Sequence, residues 1–426
     1  VGFGPAQTGF FAGPIQLKNF FYFFSGLVTV VSRSPLDNWD ITKTRRHHKA
    51  SISTIFSRRN IMNQYYFAYG SNLNGTDWER WCERNNFPTG LLEPVGHSVY
   101  LPDYQLSFSH YSTSRSGGTL NVHPEIGSVV QGELFRVVDP RGWEALDRKE
   151  GAPHCYQRQT VQVLDTQQGC HAVQTYIKPI EGQRKHYEPT EEYLSIVLEG
   201  MRKFFIPSVN VRQLVDREKY GQPRPLDSLF VYGTLMRNEQ RFFALGDQIY
   251  CALLAEAPGS LYDLGSYPGL VSPSGPDEWV QGDFIRIENI ATILPQLDSI
   301  EGFRGFGERG SLFSRRLADV HVGDGRGRLA WVYVKEGTPE GRLIRKGCWR
   351  RHQNVRSHFL ESLGMIHASG RTDIIDKIFA REWASMDDPR VDLPREITEL
   401  GRALMRGRIS ERRLAQASGI WTAACF

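Results

Sequence analysis

None of the six cysteines (Cys82, Cys155, Cys170, Cys251, Cys348 and Cys425) forms a CxxC pair, and their spacing follows no regular period. That excludes a legible disulfide framework, and the six read as reduced thiols of a cytoplasmic protein. HExxH is missing as well, and His and Cys nowhere cluster at metal-ligand spacing. Neither a metal nor a cofactor is expected. Long apolar runs are also scarce. The stretch Phe20 to Val31 is apolar but too short to span a bilayer, so no membrane partner is expected. Charge of one sign is lacking too: 51 basic against 47 acidic residues leave +4 over 426 residues. Residues 1–61 alone carry +6, so the remainder carries −2 and has no nucleic-acid footprint of its own. The sequence leaves the oligomeric state open.

What is present, 40% hydrophobic and 12% aromatic residues, suffices for real cores. Two short phrases stand out. Tyr66 to Asn74 reads YFAYGSNLN, and Phe230 to Met236 reads FVYGTLM. Each is an apolar, β-forming run that breaks at Tyr-Gly and a hydroxyl residue, the pattern of a buried strand opening into a tight loop. Successive backbone N–H groups in such a loop converge on an anion. Further landmarks recur in the same order: VQGELF (130–135) and VQGDFI (280–285), LDRKEG (146–151) and LDSIEG (297–302), Tyr156-Gln157-Arg158 and Phe313-Ser314-Arg315, QTYIK (174–178) and WVYVK (331–335). The offset between copies drifts from 163 to 150 and back to 157, as loop insertions produce. An ordered set of this kind marks two homologous domains of about 150 residues each.

Each copy places an acid before a glycine, Glu150 and Glu301. Leu-Asp-x-x-Glu-Gly has helical spacing, puts Asp and Glu on one face and ends the helix at Gly. The helix dipole disfavours a carboxylate there and keeps it protonated longer, which suits a group that takes and gives a proton. The bland alternative is a solvated glutamate before a helix cap; its recurrence beside the Tyr-Gly loop favours catalysis. Tyr176 and Tyr333 lie in alternating strand patterns and read either as core residues or as hydroxyl donors to substrate. Arg158 and Arg315 read as partners of a carboxylate inside each domain.

These motifs resemble the γ-glutamylcyclotransferase superfamily, which includes the AIG2-like proteins. The first domain, with LSFSHYSTSRSGGTLNVHP (106–124) and the helical ending EEYLSIVLEGMRKF (191–204), is similar to γ-glutamylcyclotransferase proper. The second, with GSLYDLGSYPGLV (259–271), is similar to the AIG2-like branch. The resemblance implies an α+β fold of two tandem domains, each a small mixed barrel-like sheet with flanking helices. It implies that the α-amine of a γ-glutamyl compound attacks its own γ-carbonyl, giving 5-oxoproline and a free amine or amino acid. It places the essential glutamate at Glu150 and Glu301. The substrate contacts it implies are Tyr69, Gly70, Ser71, Asn72 and Leu73 in the first domain, and Tyr232, Gly233, Thr234 and Leu235 in the second, with Tyr176 and Tyr333 beside them. Two alternatives remain: a γ-glutamyl deprotection enzyme in a biosynthetic pathway, or a second domain that binds without turnover.

The domains are expected over 62–221 and 228–340, joined by a Pro-containing linker near residues 222–227. Residues 1–61 are basic at one end, precede the first Met (Met62) and share nothing with either repeat. The Arg- and Ser-rich part superficially resembles a transit peptide; the preferred reading is a disordered extension outside the fold. Residues 341–426 read as a helical extension whose tail, ISERRLAQASGI, has a faint helix-turn-helix pattern; packing on the second domain is the favoured role.

Overall fold

The computed structural model describes residues 64–353 apart from 181, 183, 184, 324, 325, 338 and the side chain of Asp247. The N-terminal extension and the tail beyond 353 lie outside the described residues.

The first Tyr-Gly phrase begins as β1 (Tyr65–Ala68), buried at all four positions. It leads through a single 3-10 turn (Ser71–Leu73) into α1 (Gly75–Arg84). Asn74 caps that helix, its side-chain oxygen accepting from the amides of Thr76 and Asp77 at 3.1 Å each. A long hairpin follows, β2 (Leu92–Ser112) and β3 (Gly117–Val137), then α2 (Arg141–Glu150). Strands β4 (Gln157–Leu164) and β5 (Cys170–Ile177) complete the sheet, and α3 (Glu191–Lys203), α4 (Val209–Val215) and α5 (Arg217–Tyr220) pack outside it. The strand order β1-β3-β2-β4-β5 closes on itself through a parallel β1–β5 pair. Closure leaves no open edge, so strands as short as β1 are stable.

The second barrel is built from β6 (Ser228–Val231), β7 (Ile249–Pro258), then, after the hairpin β8 (Ser260–Asp263) and β9 (Pro268–Val271), β10 (Trp279–Ile287). Helix α6 (Ile290–Ile300) precedes β11 (Phe313–Val322) and β12 (Gly327–Lys335). The closed order β10-β6-β12-β11-β7 is the first barrel's order, strand for strand. Register is kept as well. Tyr66 pairs in parallel with Gln174, and Leu229 with Trp331. Ala68 faces Glu133, and Val231 faces Asp283; Arg158 faces Tyr176, and Arg315 faces Tyr333.

Residues 341–348, expected to open a helical extension, are not helical. Arg342–Leu343 form β13, pairing with Tyr262–Asp263 to extend the β8–β9 hairpin into a three-stranded sheet. Ile344 and Trp349 are buried in the second barrel's core. These two side chains complete the barrel's core, Ile344 from a non-helical segment and Trp349 from the first residue of a helical one. Among the described residues no helix is long and apolar enough to cross a membrane.

Candidate functional site

In each barrel the Tyr-Gly loop and the end of a helix meet. The first 3-10 turn is closed by Leu73 N–H to Gly70 O and Asn74 N–H to Ser71 O, both 3.0 Å. The amides of Gly70, Ser71 and Asn72 precede these bonds, in the position where a helical turn leaves its donors for an outside acceptor. Gly70 and Ser71 are partly open to solvent, whereas Asn72 is buried. Leu73 is fully buried and its amide is already used, so it anchors the loop and offers nothing to a ligand.

Asn72 reaches across to helix α2. Its amide nitrogen donates to Glu150 Oε1 at 2.7 Å and lies 2.9 Å from the Tyr66 hydroxyl. Glu150 is the last residue of α2, and Gly151 follows with φ 63°, the left-handed turn that the helix end requires. Desolvation raises the Glu150 pKa above its ordinary value, while Lys149, the Asn72 hydrogen bond and Arg115 oppose the rise. Burial, not the helix dipole expected from sequence, is therefore the leading cause of the rise. Lys149 donates to Asp77 at 3.1 Å, and Arg115 holds the same carboxylate at 2.8 and 2.9 Å. Desolvation lowers the Lys149 pKa despite that carboxylate. Sequence reasoning missed this Asp77–Lys149–Arg115 cluster, because its members come from three separate elements.

The second site repeats the plan with different side chains. Met236 N–H closes the loop onto Gly233 O at 2.9 Å, and Arg241 N–H onto Thr234 O at 2.8 Å. A cavity of about 110 Å³ is walled by Tyr232, Gly233, Thr234, Leu235, Arg241, Glu301 and Tyr333, with Tyr267, Pro268 and Phe313 adding apolar surface. Leu235 stands where Asn72 stands in the first barrel, and Ile300 where Lys149 does. Both supports of an ionised carboxylate are thus replaced by hydrocarbon. Glu301 accordingly has its pKa pushed up to about 7 by desolvation, with Arg241 the opposing charge.

The four tyrosines are committed elsewhere than to a substrate. Tyr69 donates to the Tyr176 carbonyl, and Tyr232 to the Tyr333 carbonyl, both at 2.7 Å. Tyr176 gives its hydroxyl proton to Asp147 at 2.6 Å, and Tyr333 to Asp298 at 2.7 Å. A phenol has one proton to donate, so the expected hydroxyl donors to substrate are braces instead. Tyr333 still presents its ring to the cavity. The aspartates of the two Leu-Asp-x-x-Glu-Gly phrases also take the paired arginines: Arg158 lies 3.6 Å from Asp147, and Arg315 lies 3.4 Å from Asp298. This matches the reading of both arginines as carboxylate partners inside their domains, and Arg315 adds a second partner, Asp103 of the first barrel.

One further matched pair escaped notice although it stands in the quoted phrases: Glu133 of VQGELF and Asp283 of VQGDFI, both essentially inaccessible. Glu133 accepts from the amides of Gly96 and His97 at 2.7 and 3.0 Å. Asp283 accepts from the Arg237 amide at 2.9 Å and from Arg350 at 2.7 Å. Glu133 thereby fixes the register break of β2 between Pro94 and Ser98, and Asp283 the segment after the second Tyr-Gly loop; their recurrence at one place in both copies was the available signal.

Comparison with known proteins bears on this arrangement. The family description "Gamma-glutamyl cyclotransferase, AIG2-like" matches residues 66–195 and again residues 229–351. The γ-L-glutamyl-butirosin B γ-glutamyl cyclotransferase of Niallia circulans is 31% identical over 110 residues, 26% of this chain and 67% of that protein. The γ-glutamylcyclotransferase family protein YtfP of Escherichia coli K12 is 30% identical over 122 residues, 28% of this chain and 94% of that protein. Among solved structures, a γ-glutamyl cyclotransferase aligns with 38% of this chain and 92% of its own, at 20% identity and TM-score 0.30.

Proposed function

The chain belongs to the AIG2-like γ-glutamyl cyclotransferase family, in a tandem arrangement, and from that premise we propose that it releases 5-oxoproline from γ-glutamyl compounds at two sites, with Glu150 and Glu301 as the proton-transfer groups. The observation that carries the reading is the pairing, in both barrels, of a desolvated glutamate with a Tyr-Gly loop whose leading amides are not used in closing its turn.

The γ-glutamyl group folds so that its α-nitrogen meets the γ-carbonyl carbon, which removes much of the entropic barrier to ring closure. The ionised glutamate takes a proton from the α-ammonium. The nitrogen forms the lactam C–N bond, and the negative charge passes to the carbonyl oxygen. Amides of Gly70, Ser71 and Asn72 in the first site, and of Gly233 and Thr234 in the second, stabilise that oxyanion or the substrate carboxylate. The glutamate, now protonated, gives its proton to the leaving nitrogen as the original C–N bond breaks; it then takes the ring nitrogen's second proton and passes it to the departing amine, which leaves as its ammonium, so the carboxylate regains its starting state. A raised pKa suits a group that must act in both directions.

The deprotection reading is favoured by the Niallia circulans relative, whose name specifies γ-L-glutamyl-butirosin B as its substrate. The deciding measurement is 5-oxoproline release from γ-glutamyl amino acids, simple γ-glutamyl amines and γ-L-glutamyl-butirosin B, using the full chain and Glu150→Gln, Glu301→Gln and the double variant. Activity lost only in the double variant supports two working sites. Undiminished release by the double variant overturns the assignment of both glutamates.

A further inference from the structure

The two Leu-Asp-x-x-Glu-Gly helices are seated differently. Helix α2 is braced within its own barrel: Arg158, paired with Asp147, keeps 38% of its side chain exposed and stacks 5.1 Å from Trp143. Arg315, its counterpart, keeps only 3%. Its guanidinium lies over Trp331 and Phe306, 4.9 and 5.0 Å from the ring centroids, beside Asp298 of α6 and in a salt bridge with Asp103 of the first barrel.

Asp103 is shaped for that contact. It sits at a register break between Pro102 and Tyr104 in the β2–β3 hairpin, with φ 57°. A bulge of this kind re-aims a side chain, and Asp is among the few residues that tolerate the left-handed region. Its Oδ1 accepts from the Gly127 amide at 2.8 Å. Gly127, itself at φ 79°, lies under α6: a β-carbon there would stand 3.2 Å from both Ile290 and Leu294. The same kink of the first barrel therefore supports α6 at its start through Gly127 and at its last turn through Asp103, Arg315 and Asp298. Asp298 also takes the Tyr333 hydroxyl, and Glu301 follows three residues later.

We propose that Asp103 is a positioning residue for the second site: the first barrel's bulge, through Arg315, holds the helix end that presents Glu301, and the dependence runs one way. The proposal rests on the cyclotransferase reading for its kinetic arm only. Helix α2 makes no matching demand on the second barrel, because Asp147, Arg158 and Tyr176 all belong to the first.

The test is Asp103→Asn in the full chain. Asn keeps an oxygen for the Gly127 amide and tolerates the same backbone, so only the charge facing Arg315 is removed. In an E150Q background, Glu301-dependent kcat should fall about tenfold or more, since sub-ångström misplacement of a reacting group is costly, while KM changes little. In an E301Q background, Glu150-dependent kcat should be unchanged. Asp103→Glu, which restores the charge, should recover part of the loss. Hydrogen exchange supplies a readout independent of turnover: amides of residues 297–303 should exchange faster in Asp103→Asn, and those of 147–151 should not. If the wild-type chain releases no 5-oxoproline, the functional reading fails and exchange alone decides the inference. Unchanged exchange at 297–303, or faster exchange with unaltered Glu301-dependent kcat in an active protein, overturns it.

Discussion

Glu150 and Glu301 occupy equivalent helix ends but should titrate differently, because the residues facing them differ. Asn72 and Lys149 favour the ionised form of Glu150; Leu235 and Ile300 do nothing for Glu301. Turnover through Glu301, isolated in the Glu150→Gln variant, should therefore rise with pH through a midpoint near 7, because in the proposed mechanism only the ionised carboxylate can accept the α-ammonium proton. Leu235→Asn should move that midpoint down, and a pH–rate profile with an unchanged or higher midpoint would count against the argument. Glu150→Gln, with Glu301 also changed to Gln, should lower first-site turnover by roughly two to four orders of magnitude. Linkage gives an independent check. The folded state raises the Glu301 pKa from 4.5 to about 7, so it binds that proton more tightly than the unfolded chain. The ionised group then destabilises the fold, increasingly from pH 4.5 to 7 and fully above it. Glu301→Gln should raise Tm relative to wild type at pH 8 and have a smaller effect at pH 5; the reverse order in thermal melts contradicts the assigned shift.

The elements show why certain small residues recur in the repeat. In VQGELF and VQGDFI the glycine is the site of closest strand approach. A β-carbon on Gly132 would stand 2.4 Å from the Ala68 carbonyl oxygen, and one on Gly282 would stand 2.2 Å from that of Val231. Each clash is with the strand that leads into the Tyr-Gly loop, so these glycines set how near loop and barrel wall can come. Gly200 does the same for helix α3: a β-carbon there would meet Leu73 Cβ at 2.7 Å and the Asn74 amide at 2.8 Å. Gly200→Ala should push α3 off the loop, cost about 1–3 kcal/mol by denaturant titration, and reduce first-site turnover more than second-site turnover. Equal loss at both sites would place the effect in global stability instead. The strands, the loop and helix ends and the Leu-Asp-x-x-Glu-Gly helices were legible because their signals are local: apolar runs, Tyr-Gly breaks and a terminal glycine. The β8–β9–β13 sheet was not, since a two-residue strand such as Arg342–Leu343 exists only through its partner. The tyrosines were left open between core residue and donor to substrate for a related reason: alternation shows that Tyr176 and Tyr333 point inward, but not which carboxylate takes the hydroxyl.

At the scale of the molecule, matched landmarks correctly announced a duplication because barrel closure forces register to be kept. The offset of 163 residues for β1 and β6 and of 157 for β5 and β12 is visible again in the parallel pairs Tyr66–Gln174 and Leu229–Trp331. What duplication could not announce is how the copies have come to share a core. Leu164, at the end of β4, is fully buried, and it clusters with the second barrel's core alongside the partly buried Tyr100, Val129 and Cys170. Gln168 donates to the Pro258 carbonyl at 2.7 Å, and Gln167 bridges to Ala318, across the same boundary. A repeat comparison finds what the copies have in common, and an interface is by nature what each copy does not share with its twin. These contacts make the barrels thermodynamically dependent, so the full chain should unfold in one calorimetric transition and not two. Leu164→Ala should cost about 2–5 kcal/mol, as a cavity in a closed core does, and should lower that single transition as a whole. Two resolved transitions in the wild type, or a Leu164→Ala effect confined to the first barrel's hydrogen-exchange protection, would mean that the barrels merely touch.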